Sequence, residues 1–503
     1  MRQRLSGIRP AAQTTMPLHR SPVIETLLIL LTAQYQQRAS GQCSGIATNP
    51  VGASSCAAYA IPDSGIATLD LQHKYSLGEL IDIGERNNPE TRAAWERAKQ
   101  QAKVLGIEKS EYFPVLAAAA LFGDQRVVQP FPKPLSPVGY SVVDLALIQP
   151  QIELQYLLFD FGGRRARVDA AKAEAFAAGA LFIKTNQNVA FMISARYYAL
   201  LTAQERLQAA RDTLTTARTT QEAAEARLAN GRATLPDVLN ARAEAAQATF
   251  DLETADGDEK IARVTLAEVI GVKPPPDISI DGEVNAPLPK ALTSSIEELI
   301  SRAFADRPDL VAQMLEIRKA DDEIRNANSD YWPKMTLTAN AAQTSGWPSE
   351  VQPPGQLGQF SKPTWSVAAN VEWTVFDGGA RRNRKELAES GKREALAHYR
   401  DKQNQAEREV WSSYIAFRTA LRQHEAALAL LGASDTSYSS SLEAYKFGVK
   451  NLVDVVTAER QLALARLSMV AARSQLLTEA VRLESVTGHL LRGLPPATTT
   501  QGK

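Results

Sequence analysis

From Ala146 onward apolar and polar positions alternate: Ala146, Ile148, Pro150, Ile152, Leu154, Tyr156 and Leu158 enclose Gln149, Gln151, Glu153 and Gln155. A period of two predicts a β-strand with one apolar and one polar face. The pattern returns where Trp365, Val367, Ala369, Val371, Trp373 and Val375 alternate with Ser366, Asn370, Glu372 and Thr374. A third strand sets Met335, Leu337, Ala339 and Ala341 against Lys334, Thr336, Thr338 and Asn340; its counterpart, residues 115–122, is mostly apolar. Two-sided strands of about ten residues are typical of membrane β-barrels, whereas soluble strands average about five or six. Trp365, Trp373 and Tyr156 lie near the expected strand ends, where an interfacial aromatic girdle belongs. Known membrane barrels need about eight strands or more, and an open edge is not tolerated in lipid. Four strands per chain therefore require several chains in one barrel, and three chains would supply twelve.

Elsewhere the period is helical. Residues 164–229 carry no proline and are rich in Ala, Glu, Gln and Arg, good helix formers. At 1.5 Å per residue this run spans about 100 Å, and residues 381–446 match it in length. Each run ends at a glycine turn, Gly231 or Gly448, and a return helix of about 54 Å follows. A shorter helix, 89–111 or 308–330, precedes each pair of strands. In the last helix Val455, Leu462, Met469, Leu476 and Leu483 recur every seventh residue beside Val456, Ala463, Val470 and Leu477, which is a coiled-coil seam. The many alanines suit either close helix packing or a shallow groove for another protein.

The chain is written twice. Glu79-Leu80-Ile81 recurs as Glu298-Leu299-Ile300, Asn88-Pro89-Glu90 as Arg307-Pro308-Asp309, and Glu111-Tyr112-Phe113-Pro114 as Asp330-Tyr331-Trp332-Pro333, all offset by 219 residues. Further on the offset is 217: Phe159-Asp160 matches Phe376-Asp377, Leu235-Pro236-Asp237-Val238 matches Leu452-Val453-Asp454-Val455, and Ile270-Gly271 matches Thr487-Gly488. Copies this long exceed any solenoid unit, so a whole structural unit is duplicated. The expected organisation is a leader over 1–60, a first repeat over 61–271, a proline-rich connector over 272–294, a second repeat over 295–490 and a loose tail over 491–503.

In the leader, residues 23–33 form an apolar run behind basic residues, as in a signal peptide, and Met16 offers a second start. No window reaches the roughly 18 apolar residues of a membrane-spanning helix. Cys43 and Cys56 are too few for a disulfide scaffold. Ala53-Ser54-Ser55-Cys56 is a faint lipoprotein-like site, and lipidation at either cysteine stays open.

Composition narrows the function. Lys+Arg and Asp+Glu number 56 each and 44% of residues are apolar, which excludes disorder as the main state and lacks the basic excess of a nucleic-acid binder. His19, His73, His398, His424 and His489 are scattered, with no metal-ligand spacing, and are expected on solvated surfaces. Nucleotide-binding glycine loops and a nucleophile elbow are absent from the sequence. No cofactor, metal or catalytic residue is expected, and the chain does not read as an enzyme. The serine-rich stretch 434–441 is expected to form a solvated helix face.

Two strand-to-helix junctions, Leu158-Phe159-Asp160-Phe161-Gly162-Gly163-Arg164 and Val375-Phe376-Asp377-Gly378-Gly379-Ala380-Arg381, and two hairpin tips, Gly231 to Val238 and Tyr445 to Val455, stand at matched spacing. On these motifs the chain resembles the TolC-type outer membrane efflux proteins of Gram-negative bacteria, over roughly residues 75–490. The resemblance implies a fold that is mainly α with a membrane β-barrel part. Three copies of a duplicated helix–strand–strand–long helix–helix unit would form a twelve-stranded barrel continued by a coiled-coil tunnel. It implies a passive outer membrane conduit for efflux or type I secretion, working with a periplasmic adaptor and an inner-membrane pump or ABC exporter. The rival reading is a pore-free periplasmic coiled-coil scaffold or adaptor, which has no use for long two-sided strands.

Residue by residue, the resemblance places the tunnel's closed end at the hairpin tips. Asp454 falls on one constriction acid, and Thr457 replaces the second. Tyr445 and Lys450 fall on an aromatic and a basic lock residue, and Asp237 on their acidic partner, with Pro236 in place of a hydroxyl residue. The bland alternative is that these are ordinary polar turn residues. At the junctions Asp160 and Asp377 suit helix N-caps, and Gly162, Gly163, Gly378 and Gly379 ease the turn. Arg164, Arg165, Arg381 and Arg382 are placed either to reach lipid headgroups or simply in well-capped loops. Gln149, Gln151, Glu153 and Gln155 would face the lumen.

Overall fold

The computed structural model describes residues 73–130, 138–273, 278–281, 295–352 and 358–488, all within one unit, Pro62–Lys503. The leader with both cysteines, most of the connector, the tail, His19 and His489 lie outside the described residues.

Each copy follows one plan. Copy one runs β1 (Lys74–Tyr75), α1 (Leu77–Asn87), α2 (Pro89–Ser110), β2 (Val115–Pro130), β3 (Tyr140–Phe159), α3 (Gly163–Ala229) and α4 (Leu235–Ile270). Copy two runs β4 (Ser279–Ile280), α5 (Ile296–Asp306), α6 (Pro308–Ser329), β5 (Lys334–Gln352), β6 (Phe360–Glu372), α7 (Ala380–Lys446) and α8 (Leu452–Val486). The long helices have 67 residues each, about 100 Å at 1.5 Å per residue.

Several expectations change. Short helices α1 and α5 open the copies, each starting at a capping serine, Ser76 or Ser295. Inside the expected connector, β4 pairs in parallel with β1, and Ile278 and Ile280 enter a core with Leu80, Ile193, Leu200, Leu266 and Ile270. The strands have 16, 20, 19 and 13 residues, longer than the roughly 9–11 that cross a bilayer. Trp373 and Val375 lie beyond the end of β6, and Trp365 sits in its middle rather than at its end.

The four long strands form one antiparallel sheet in the order β2-β3-β5-β6. Its register makes the alternation a property of whole faces. Ala118, Ile152, Ala341 and Trp365 form one row across the sheet, and Leu116, Leu154, Ala339 and Val367 a neighbouring row on the same face. Between them, on the other face, runs the row Ala117, Glu153, Asn340 and Ser366. Gln151 joins Glu153 at 2.6 Å on that polar face. Trp365 is 80% exposed.

The long helices pack on small residues. Along α7, Ala406, Ser413, Ala420, Ala427, Ser434 and Ser441 are all buried at seven-residue intervals, with Val410, Phe417 and His424 between them and Tyr445 beyond the last. Small side chains let α8 approach closely, and its Val455, Leu462, Leu476 and Leu483 are buried as the heptad requires. Ser434 and Ser441 therefore belong to the seam and not to a solvated face. His424 is buried too, 8% exposed, because the seam passes through it; burial, then the nearby Arg473, lowers its pKa. His73 and His398 are exposed beside Glu79 and Glu394.

Candidate functional site

The junctions turn each strand into a long helix. Gly162 and Gly379, both with positive φ (92° and 88°), stand just before the helices. The Asp160 carboxylate accepts the backbone N–H of Arg164, and Asp377 accepts that of Arg381 at 3.0 Å and that of Gly379 at 3.2 Å. Each aspartate thus caps the first turn. Where copy two has Gly378 (φ 68°), copy one has Phe161 at φ 51°. Its ring stacks on Trp332 at 5.1 Å and meets Phe159 at 4.7 Å, contacts that hold a conformation L-residues disfavour.

The four arginines divide into two pairs. Arg164 Nη1 donates to the carbonyls of Glu111 (3.0 Å) and Leu157 (2.8 Å), and its guanidinium lies 4.6 Å over Tyr112. Arg381 donates to Val375 O (3.1 Å) and to Asp377 (3.0 Å), 5.4 Å from the Tyr331 ring centroid. These two tie strand to helix within the chain, so the lipid-facing reading does not hold for them. Arg165 and Arg382 point outward, with side chains 79% and 80% exposed. Around them Phe113, Phe159, Trp332, Trp373 and Phe376 are exposed. All five belong to the two strand-to-helix junctions or the turns that precede the strands.

At the other end of the long helices the two hairpin tips meet. Ala224, Val238, Ala241, Leu442, Tyr445, Leu452 and Val455 share one buried cluster. Asp237 closes the start of α4, accepting from Thr234 N–H at 2.9 Å and from its hydroxyl at 2.7 Å; these bonds hold its pKa below the usual carboxylate value. Lys450 Nζ donates to Ser441 Oγ at 3.0 Å, so in the protomer the expected Lys450–Asp237 link is replaced by a contact within copy two. Asp454 and Thr457 are exposed on the first turns of α8, where Asn451 Oδ1 accepts the Asp454 N–H at 2.9 Å.

Sequence reasoning passed over what joins the tips. Arg227 on α3 donates to the carbonyl of Tyr445 and lies 4.4 Å over its ring. Further up, the Thr220 hydroxyl donates to Glu459 at 2.8 Å and lies 3.5 Å from Tyr438 Oη. Burial, foremost, raises the pKa of Glu459 and of Tyr438. The signal for Glu459 was available: it stands between Val455 and Leu462 on the apolar seam. Among the described residues, no cluster of His, Cys, Asp and Glu is arranged to hold a metal.

The model of the family described as "Outer membrane efflux protein" matches residues 80–272 and 299–489. The chain belongs to the outer membrane efflux protein family. The two matched stretches coincide with the two structural copies. Protein CyaE of Bordetella pertussis is 28% identical over 433 residues, covering 84% of this chain and 86% of that protein. The outer membrane protein OprJ of Pseudomonas aeruginosa is 26% identical over 405 residues, covering 79% and 81%. In fold, the chain is similar to the crystal structure of the outer membrane protein VceC of Vibrio cholerae (TM-score 0.67, 22% identity, 82% and 96% covered). This member of the efflux family is an outer membrane channel of the kind used in tripartite efflux and secretion, with its long helices forming the periplasmic tunnel. The family and its structural neighbours are channels, and the pore-free scaffold reading has no support among them.

Proposed function

We propose that three copies of the chain close one twelve-stranded barrel, apolar face to lipid and polar face to lumen, and continue it as a tunnel gated at the hairpin tips. The observation that carries this is the register of the sheet. One face presents Ile152, Trp365 and Val367, the other Gln151, Glu153, Gln155 and Asn340, while β2 and β6 remain edge strands. Unpaired edges in hydrocarbon leave backbone groups unsatisfied, and pairing the β2 of one copy with the β6 of the next removes them. The helices supply a second support. Leu239, Phe250, Ile261 and Val264 are exposed on one face of α4, an apolar stripe suited to a neighbouring copy.

In the closed state Tyr445, Lys450, Asp237 and Asp454 line or hold the narrow end, with Asp454 contributing one acid per copy. The exposed Phe447, Val449 and Val453 at the tips suit contact with a periplasmic adaptor that links the tunnel to an inner-membrane pump or ABC exporter. The conduit is passive and needs no cofactor. Two measurements test the assembly: the mass of the detergent-purified species, and its conductance in planar bilayers. A trimer that forms channels supports the reading; a water-soluble monomer that needs no detergent overturns it.

A further inference from the structure

We propose that Arg227 is the latch holding the two hairpin tips of each protomer together in the closed channel, through the ring face and backbone of Tyr445. The inference rests on the gated-channel reading above. Arg227 lies in the last turn of α3, and Tyr445 in the last turn of α7. Arg227 Nη1 donates to the Tyr445 carbonyl, Nη2 reaches the Arg232 carbonyl at 3.4 Å, and the guanidinium covers the Tyr445 ring at 4.4 Å. The Tyr445 carbonyl already accepts the Gly448 N–H at 2.9 Å, so the guanidinium is a second donor to it, and the last turn of a helix carries partial negative charge. One guanidinium therefore serves two helix ends: its charge sits at the end of its own helix, and its N–H at the end of the neighbouring one.

The surroundings strengthen the contact. Ala224, Val238, Leu442 and Leu452 pack around it, and charge-assisted hydrogen bonds and cation–π contacts gain as water is excluded. The hydroxyl of Tyr445 is not what makes the link: it is buried and has no hydrogen-bond partner among the described residues, while Asp237 is occupied by Thr234. The latch is also made once per protomer. At the offset of 217, Arg227 corresponds to Ala444 and Tyr445 to Leu228, so the duplication does not supply a second. It joins copy one to copy two at the tips, the pair of hairpins whose separation would widen the proposed tunnel.

The test is single-channel conductance of purified full-length trimers in planar bilayers, with trimer yield confirming assembly. Arg227→Gln and Tyr445→Leu are each expected to raise closed-state conductance several-fold, and the double variant no further than the larger single. Arg227→Lys, which keeps the charge without the planar stack, should fall between. Tyr445→Phe should conduct as the unmodified protein does. If Tyr445→Phe opens the channel as far as Tyr445→Leu, the hydroxyl carries the link and the proposal is overturned. Wild-type conductance of Arg227→Gln beside an open Asp454→Ala channel overturns the latch alone. Wild-type conductance of all these variants removes the gate reading itself.

Discussion

The carbonyl oxygen of Asn87 stands 2.7 Å from where a β-carbon on Gly271 would lie. Gly271 ends α4 with φ 79°, and Asn87 ends α1, so two chain reversals cross with no side chain between them. The second copy repeats the crossing, with Asp306 O 3.0 Å from the β-carbon position on Gly488 (φ 83°). Left-handed backbone alone costs an L-residue about 1–2 kcal/mol, and backbone contact adds to it here. Gly271→Ala and Gly488→Ala should each lower the thermal midpoint of detergent-solubilised trimers, Gly271→Ala the more. Gly231 has positive φ but open space around it, so Gly231→Ala is the control. Equal midpoints for Gly231→Ala and Gly271→Ala would show that the crossing is looser than described.

The faces of the sheet can be separated by one substitution on each. Ile152 lies on the apolar face, and Gln151 on the polar one. An arginine facing lipid near the midplane costs roughly 2–4 kcal/mol per chain, and in the proposed trimer that cost would be met three times. Ile152→Arg is expected to abolish trimers on a semi-denaturing gel, whereas Gln151→Arg should assemble normally and shift the pore toward anion selectivity. The reverse pattern would mean that the two faces are assigned the wrong way round.

Strands, long helices and duplication were legible because they are written as period: two residues in the sheet, seven along α8, 217 and 219 between copies. What escaped notice has other causes. Helices α1 and α5 have only 11 residues each, so their helical spacing, Leu77, Leu80, Ile81 and Gly84 or Ile296, Leu299, Ile300 and Ala303, completes few turns and is easily passed over. Their start was nonetheless marked by Ser76 with Glu79 and Ser295 with Glu298, the spacing of a capping box. The seam of α7 buries Ser434, Ser441 and His424, polar residues that an apolar search passes over. The directions of Arg164 and Arg381 depend on carbonyls freed where strand meets helix. Arg227 and Tyr445 lie 218 residues apart, and no local pattern joins them.

Acid should loosen the tip through Asp237. Its pKa is lowered in the folded chain, first by the Thr234 N–H and then by the Thr234 hydroxyl. A lowered folded value means that the carboxylate's contribution is fully present above the usual aspartate value, 3.8, and fades as pH falls through the folded one. Closed-state conductance should therefore rise as the bath is taken below about pH 4. Asp237→Asn, which keeps an acceptor but no charge, should show a raised baseline and a smaller acid response. A pH response identical to wild type would remove Asp237 from the closed end.

Glu459 predicts the opposite sign. It is 5% exposed, and burial foremost, with Glu244 adding to it and Thr220 and Arg460 opposing, raises its pKa. A carboxyl whose folded pKa is raised contributes most below its unfolded value, and loses that contribution as pH rises through the folded one. At pH 7.5 the ionised form is thus a burden on the seam between α3 and α8. Glu459→Gln keeps an acceptor for the Thr220 hydroxyl, now 2.8 Å from the carboxylate, and removes the buried charge. The variant should melt at a higher temperature than the unmodified trimer at pH 7.5, and the gain should shrink as pH approaches 4. Glu459→Leu removes the charge as well, but the Thr220 hydroxyl then keeps only the longer bond to the Thr216 carbonyl at 3.2 Å in place of the charge-assisted one, so it should gain less. A lower melting point for Glu459→Gln at pH 7.5 would mean that Arg460, which also pairs with Glu244, compensates the Glu459 charge more fully than burial penalises it.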